Sequence, residues 1–221
     1  MKTLTSDQFE ALIDNAKILE EDGYGLKVLR LSDGTFLKLF RRKRWLSSAL
    51  IYPYSRRFAS NAEKLTARNI HTVRVIERFR LQNPERECVH YHPLPGVTLR
   101  DLYRQNHSPM SQDLVQQLGH YIAELHQKGV YFRSIHLGNL VQTPNGDLGI
   151  IDISDMKIFN GPLRDGLRIR NFAHLIKGKQ DQENLDPNSE AGQQLIDSYC
   201  SATRPLKPST IAALKTALGM N

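Results

Sequence analysis

Cysteine is scarce in this sequence, which has two cysteines, Cys88 and Cys200, among 221 residues. They fit no metal-ligand spacing, and they are too few for a disulfide framework. The sequence therefore excludes a zinc module and a disulfide-stapled scaffold. Two isolated thiols are typical of a reducing compartment, so we expect a cytoplasmic protein.

Long apolar runs are missing as well. The longest lies within residues 148–153, far below the roughly 18 apolar residues that a membrane-spanning helix requires. The first residues turn polar at once, which predicts no secretory signal. There is no internal repeat and no low-complexity segment, and a composition of 40% hydrophobic and 24% charged residues is typical of a globular protein.

Positive charge is in excess, because 30 Lys and Arg outnumber 23 Asp and Glu and give a formal net charge of +7. This excess favours anionic partners, among which nucleic acid, anionic lipid and phosphorylated sugar are open. The sequence has no zinc-finger spacing and no aromatic signature of an RNA-recognition motif, and its basic residues are scattered over both halves. We therefore do not expect a nucleic-acid partner.

Strand patterns dominate the first half of the chain. Thr5 and Gln8 form a capping-box pattern that predicts a helix near 6–16. The Asp33-Gly34 pair predicts an antiparallel hairpin between two of the short runs rich in Val, Leu and Phe. The strands are predicted near 16–19, 26–31, 35–40, 72–81 and 86–92, with a further helix near 56–68.

Helical patterns dominate after a connector at 93–96 that contains Pro and Gly. Strands first and helices later favour an α+β fold with a boundary at this connector. We therefore expect an antiparallel-sheet domain at 1–92 and a helical domain at 93–221. Within the second domain, helices are predicted near 99–103, 114–125, 168–177, 189–200 and 208–218, and short strands near 139–142 and 148–153.

Lys38 is unusual for its place in the pattern. It alternates with Phe36 and Phe40, so that on a strand the three side chains share one face, which is expected to be inward. Burying an ammonium group without a partner is costly, so an inward lysine is expected to contact phosphates or a carboxylate. The alternative is a lysine whose long side chain reaches water.

The most specific pattern lies between Leu125 and Asp152. It reads Leu-His-Gln-Lys-Gly-Val over 125–130 and Ser-Ile-His-Leu-Gly-Asn over 134–139, followed by a short hairpin that leads to Asp152. This pattern resembles kinase-like sugar and antibiotic phosphotransferases, which carry Leu-His-x-x-Gly-Val and then Asp-Leu-His-x-Gly-Asn. With the order of elements, nearly the whole chain is similar to the compact protein-kinase-like fold of bacterial lipopolysaccharide-core (Kdo or heptose) kinases.

The resemblance implies a two-lobed protein, a small antiparallel-sheet lobe and a helical lobe, that holds ATP and Mg²⁺ and transfers phosphate to a sugar hydroxyl. It implies Asn139 and Asp152 as metal ligands, hard oxygen donors of the kind that Mg²⁺ binds in small number. The other nucleotide contacts that it implies are Gly23 and Gly25 over the phosphates, Lys38 on the α and β phosphates, Glu63 as the helix partner of Lys38, and the backbone of His92 and Leu94 at the adenine.

Several of these positions have plain alternatives. Gly23 and Gly25 are also typical of a simple turn, since the third glycine of the family's loop is absent. Glu63 is the only acidic residue of its predicted helix, but an exposed helical glutamate is common. Any sequence supplies backbone groups of the kind expected at His92 and Leu94.

The chain departs from the family at the residue that accepts the proton of the substrate hydroxyl. The family has an aspartate there, and this chain has Ser134, whose neutral hydroxyl can neither act as that base nor orient the attacking oxygen by charge. Three alternatives are open. His136 accepts the proton, transfer proceeds without a base, or the protein is a pseudokinase that binds nucleotide or a partner without efficient transfer.

Clustered cations indicate two candidate contact surfaces. Arg164, Arg168 and Arg170 follow the metal-binding segment, where the family receives its acceptor, and would suit a phosphorylated or lipid-linked sugar. The run 41–44 with Trp45 would suit peripheral contact with the anionic surface of the inner membrane. In both places the alternative is a solvated charged surface.

Overall fold

The protein has a mixed α+β fold in two compact units. The computed structural model of the chain describes residues 1–41, 53–83, 85–176 and 178–220. The units are Met1–Leu94 (unit 1) and Pro95–Asn221 (unit 2). The described residues include no helix that is both long and apolar enough to span a bilayer.

Unit 1 is built on a six-stranded sheet. Its elements in chain order are β1 (Lys2–Leu4), α1 (Ser6–Leu12), β2 (Lys17–Asp22), β3 (Gly25–Arg30), β4 (Phe36–Arg41), α2 (Tyr54–Thr66), β5 (His71–Thr72), β6 (Arg74–Leu81) and β7 (Arg86–His92). The sheet has the order β1-β6-β7-β4-β3-β2, in which β1 runs parallel to β6 and the other neighbours are antiparallel.

Local signals in the sequence explain where these elements begin and end. The predicted capping box is confirmed, because the Gln8 amide donates to the Thr5 hydroxyl and the Thr5 amide donates to the Gln8 side chain. Helix α1 ends four residues earlier than predicted, since Asn15 adopts a φ of 57° and turns the chain into β2. The hairpin at Asp33-Gly34 is also confirmed, with Gly34 at a φ of 83°.

The alternation of side chains along β4 gives the sheet of unit 1 two different faces. Leu37 and Leu39 join one apolar cluster, to which α1 contributes Phe9. Phe36 and Phe40 point to the opposite face, where Phe58 of α2 covers the sheet. The side chain of Lys38 therefore lies on the α2 face.

Unit 2 is mainly helical. Its elements are β8 (Val97–Thr98), α3 (Leu99–Asn106), α4 (Gln112–Gln127), β9 (Val130–Phe132), a 3₁₀ helix (Leu137–Asn139), β10 (Leu140–Gln142), β11 (Leu148–Ile150), β12 (Met156–Ile158), α5 (Asp165–Leu175), α6 (Lys179–Asn184), α7 (Glu190–Ser201) and α8 (Pro208–Leu218). Strand β10 pairs antiparallel with β11 and β8, and β9 pairs antiparallel with β12.

Helices α4 and α7 approach each other closely at Gly119. A Cβ atom at this position would lie 2.6 Å from the Cβ of Ser198 and 2.8 Å from the carbonyl oxygen of Leu195. The helix axes can come this close because the glycine has no side chain. Gly119 is therefore required for packing, although a glycine in a helix is otherwise unfavourable.

We predict that Gly119→Ala lowers the free energy of unfolding by about 1–3 kcal/mol, because the added methyl group separates α4 from α7. Gly166→Ala is the matched control, since a Cβ on this exposed glycine of α5 meets nothing within 4 Å. It should raise stability by about 0.4–1 kcal/mol. Urea unfolding measures both, and equal effects of the two substitutions would contradict the packing role.

Candidate functional site

Asn139 closes the loop that carries Ser134 and His136. Its side-chain amide donates to the carbonyl oxygen of Ser134 over 2.9 Å, and its backbone amide donates to the carbonyl oxygen of His136 over 2.9 Å. Asn139 is buried, whereas Ser134 and His136 are partly exposed. With the amide nitrogen used to hold the loop, the side-chain oxygen Oδ1 is the atom that Asn139 can offer to a cation.

Asn139 and Asp152 lie at the same end of the β10-β11 hairpin. Leu140 is paired with Ile150, and the next residue out, Ile151, donates its amide to the carbonyl oxygen of Asn139 over 3.0 Å. Asp152 follows directly. The hairpin register therefore brings these two residues to the same end of the hairpin, although they are thirteen positions apart in the sequence.

The backbone of Asp152 is in the left-handed region, with a φ of 53°. A residue with a Cβ atom adopts this conformation at a cost, of order 1–2 kcal/mol. The predicted strand at 148–153 is correspondingly shorter, because β11 ends at Ile150 before this turn. Retained strain of this kind is found mainly at functional sites, so it motivates a functional role for the Asp152 carboxylate.

His136 is held by a pair of charged residues from two helices. Arg100 of α3 donates from Nε and Nη2 to the two carboxylate oxygens of Asp181 of α6, each over 2.8 Å. The same Nη2 lies 3.3 Å from Nδ1 of His136. Asp181 is fully buried, and its hydrogen bonds raise the pKa of Arg100. The guanidinium group is thus fixed beside the loop.

Burial lowers the pKa of His136, and the neighbouring Arg100 cation lowers it further. The carboxylates of Asp181 and Asp152 oppose this effect. Arg100 and Asp181 were not predicted from the sequence. The contact between them spans 81 positions, and Asp181 lies in α6, a helix of six residues that is too short to show a periodic pattern.

A chain of buried hydrogen bonds supports the start of the loop. Asn171 donates to the carbonyl oxygen of Phe132 over 2.6 Å, and its Oδ1 lies 3.0 Å from Nε2 of His126. Nδ1 of His126 lies 2.9 Å from the hydroxyl of Tyr199, which in turn accepts from Arg168 over 2.8 Å. With His126 neutral and protonated on Nε2, each contact along this chain joins one donor to one acceptor, although Nη2 of Arg168 is buried without a partner among the described residues.

Arg168 belongs to the core of unit 2 and not to an acceptor surface. Its side chain is completely buried and donates to Leu163, Tyr199 and Thr203. The prediction that it contacts a phosphorylated acceptor is therefore wrong, because the helical period of α5 turns it inward. Arg164 and Arg170 are exposed, so that part of the prediction stays open.

Lys38 in unit 1 is 8% exposed. Its Nζ lies 5.9 Å from the ring centroid of Phe40 and 5.8 Å from that of Phe58. Both distances are within the range in which an ammonium group is attracted by an aromatic ring. The structure therefore gives the inward orientation that the alternation of β4 predicts, and not the alternative in which the side chain reaches water.

The structure does not place Glu63 on the face of α2 that packs against the sheet. Glu63 is exposed, and the buried polar residue in the middle of this helix is Asn61. The buried carboxylate on the Lys38 face is Glu87 of β7, opposite Phe40 in the register. Glu87 accepts from Ser55 of α2 and lies 3.6 Å from Arg78, so it fastens the start of the helix to the sheet.

The remaining predicted residues of unit 1 have simple surroundings. Gly25 has a φ of 100° in the β2-β3 turn, where the Tyr24 amide donates to the Asp22 side chain over 2.9 Å, and Gly23 has open space around it. His92 is exposed at the end of β7, and Leu94 is partly buried after it. A role for these positions in nucleotide binding stays a prediction. The basic run at 42–44 and Trp45 lie outside the described residues.

No protein-family model and no curated protein matches the chain. A solved structure of WbdD in complex with the kinase inhibitor LY294002 is similar, with a TM-score of 0.49 and 12% sequence identity. The similarity covers 89% of this chain and 43% of the WbdD chain, so this chain spans less than half the length of that protein. At this level the likeness assigns neither a fold family nor an activity to the chain.

The buried histidine of the hydrogen-bond chain predicts a specific pH dependence of stability. Burial lowers the pKa of His126 from 6.5 to about 3, so between these values the unfolded chain binds a proton that the folded chain does not. The free energy of unfolding should therefore fall as the pH drops below about 6.5, by up to about 1.4 kcal/mol per pH unit from this group.

His126→Gln removes this titratable group. The free energy of unfolding in urea should then depend less on pH between about 6.5 and 3. His120, exposed on the same helix, provides the control His120→Gln, which should leave the slope unchanged. Equal slopes for His126→Gln and the unsubstituted protein would show that His126 does not remain neutral in the folded state.

Proposed function

We propose that the protein is an ATP-dependent phosphotransferase related to lipopolysaccharide-core sugar kinases, with a sugar or lipid-linked sugar hydroxyl as the acceptor. The observation that carries the proposal is the end of the β10-β11 hairpin, to which the backbone register brings both Asn139 and Asp152. The left-handed backbone of Asp152 supports it, because strained backbone of this kind clusters at active sites and ligand clamps.

The donor set at the hairpin end fits Mg²⁺. One amide oxygen and one carboxylate are hard ligands, and Mg²⁺ is usually bound by one or two carboxylates together with phosphate oxygens and water. In the part of the chain that the structure describes, no group of three or more His, Cys, Asp and Glu residues forms a candidate metal cluster. When bound, the ion would neutralise negative charge on the β and γ phosphates.

Lys38 would supply positive charge from unit 1. Its ammonium group is already buried on the face that α2 covers, so its interaction with the α and β phosphates would be stronger than in bulk water. The ammonium group of Lys38 loses its water when the protein folds, so its desolvation does not weaken the binding of a ligand. The lysine thus suits an electrostatic role in holding a polyphosphate.

In the proposed reaction, the acceptor oxygen forms a bond to the γ phosphorus while the bond between that phosphorus and the bridging oxygen of ADP breaks. The proton of the acceptor hydroxyl must leave. Ser134 cannot take it, because a neutral hydroxyl group is not a base near neutral pH. The proton would therefore pass to water or to a phosphate oxygen, which a loose transition state with little demand for a base allows.

Ser134 favours a second candidate function. A chain with the nucleotide-binding residues but without the acid at this position would act as a pseudokinase, by binding ATP or a partner and not by efficient transfer. The two candidates differ in the rate of the chemical step, and they share nucleotide binding if the pseudokinase binds ATP and not only a partner. Contact with an anionic membrane surface, near a lipid-linked acceptor, remains a proposal for either.

We predict that ATP with Mg²⁺ raises the melting temperature of the protein, since a ligand at about 100 times its Kd adds roughly 2.7 kcal/mol to stability. Asp152→Ala and Lys38→Ala should each remove most of this shift. Asp155→Asn is the matched control, because Asp155 is a nearby carboxylate paired with Arg133 over 3.4 Å. No shift for the unsubstituted protein, or equal shifts for all variants, would contradict nucleotide binding at this site.

Ser134→Asp separates the two candidates. If the protein is poised for transfer and lacks only the base, the new carboxylate should raise the rate of phosphate transfer from ATP to a core sugar by roughly a hundredfold or more. Ser134→Asn, neutral and of the same shape, is the control and should have no such effect. Equal rates for the two variants, with ATP still bound, would favour the pseudokinase.

A further inference from the structure

His136 is the one titratable side chain between Ser134 and Asn139, so the location of its ring proton decides what the loop can do. The Nη2 of Arg100 lies 3.3 Å from Nδ1 of His136. A guanidinium group has donors only and stays protonated in proteins. The contact is therefore a hydrogen bond only if Nδ1 carries no proton and accepts it.

We infer that Arg100 is a positioning residue that keeps the ring proton of His136 on Nε2, so that His136 offers a hydrogen-bond donor and not a proton acceptor to the ligand of the loop. The contact between Arg100 and His136 is independent of the proposed function. The role of His136 toward a ligand rests on that function. The expected ligand is an oxygen acceptor, such as a phosphate oxygen of the transferred group.

The orientation of Arg100 is fixed independently of His136. Two hydrogen bonds of 2.8 Å to Asp181 hold the plane of the guanidinium group, and Asp181 is buried and cannot easily move. The two helices are also joined by Arg104, which donates to Gln180, and by Asn184, which donates to the Leu99 carbonyl. The side chain of Arg100 is therefore held in the one rotamer that brings its Nη2 to Nδ1 of His136.

Gly138 makes room for this arrangement. A Cβ atom there would lie 2.8 Å from Nη1 and 2.9 Å from Cζ of Arg100, and 3.2 Å from Cε1 of His136. The guanidinium group thus lies directly against the backbone of the loop. Any larger residue at this position would have to displace the guanidinium group of Arg100.

The consequence for the proposed reaction is that the loop presents no general base. Ser134 is neutral, Asn139 uses its amide nitrogen to hold the Ser134 carbonyl, and in the inferred tautomer Nε2 of His136 carries the proton. Of the three alternatives that Ser134 leaves open, proton acceptance by His136 is thereby disfavoured. Transfer without a protein base and a pseudokinase remain.

The direct test is nuclear magnetic resonance of the full chain labelled with ¹⁵N-histidine, at neutral pH and without ATP. Long-range ¹H–¹⁵N correlations distinguish a ring proton on Nε2, on Nδ1 or on both, and His136→Gln identifies the signal. The expected result is the Nε2–H form. The Nδ1–H form or a ring protonated at both nitrogens would overturn the inference, whether or not ATP binds.

Substitution of the donor provides a second readout. Arg100→Met should release His136 into a mixture of tautomers, whereas Arg104→Met, one turn further along α3 and exposed, should leave the Nε2–H form intact. An unchanged His136 signal in a folded Arg100→Met variant would show that Arg100 does not set the tautomer. If Arg100→Met does not fold, Asp181→Asn, which weakens the hold on the guanidinium group, replaces it.

The donor role also predicts a difference between two amide substitutions. Glutamine can place an N–H near the position of Nε2, whereas the shorter asparagine cannot. If phosphate transfer is measurable, His136→Gln should keep it within about tenfold, and His136→Asn should lose about a hundredfold, in line with the loss of one transition-state donor. An equal loss of transfer rate in both variants would be expected if His136 were a base, and it would contradict its role as a hydrogen-bond donor.

Discussion

The hydrogen bond from the Asn139 side chain to the Ser134 carbonyl is the interaction on which the candidate site depends. It closes the loop, and the carbonyl of the same asparagine accepts from Ile151, one residue before Asp152. One buried residue thus joins the loop through its side chain and the hairpin end through its backbone carbonyl. The side-chain oxygen Oδ1 of Asn139 takes part in neither of these hydrogen bonds.

The loop is also supported from two other directions. Below it, the chain of donors from Arg168 through Tyr199, His126 and Asn171 ends at the Phe132 carbonyl. Beside it, the pair of Arg100 and Asp181 holds His136. Both supports place ionisable groups in buried surroundings, where an unsatisfied donor or acceptor is costly. The hydrogen bonds of the two supports are therefore costly to break, and they hold the loop in one arrangement.

Sequence patterns predicted the parts of this structure that depend on near neighbours in the chain. The capping box at Thr5, the hairpin at Asp33-Gly34 and the inward orientation of Lys38 all follow from spacings of two or three residues. The strand that leads to Asp152 was predicted too long, since strand propensity does not reveal that one residue adopts a positive φ. Helix α6 was missed because six residues do not establish a period.

The contacts that the sequence could not supply join distant segments. Arg100 meets Asp181 across 81 positions, and Asn171 meets Phe132 across 39, so no local spacing points to either pair. Glu63 illustrates the same limit. It was the only acidic residue of its helix, but the helical period leaves it exposed, and the buried carboxylate on the Lys38 face comes from a strand, at Glu87.

Ser134 stands where the resemblance of the sequence implies an aspartate, and three other residues have unusual surroundings or backbone conformations. Asp152 keeps a strained backbone, Lys38 stays buried, and Gly138 leaves space for Arg100 against the loop. The first is a backbone conformation that is uncommon outside glycine, the second is a buried cation, and the third is a close approach that glycine allows. Features of this kind persist where surrounding structure over-determines them and a ligand uses them. The neutral side chain of Ser134 therefore bears on the rate of the proposed transfer, whereas the proposed binding of a nucleotide and its cation is a separate property.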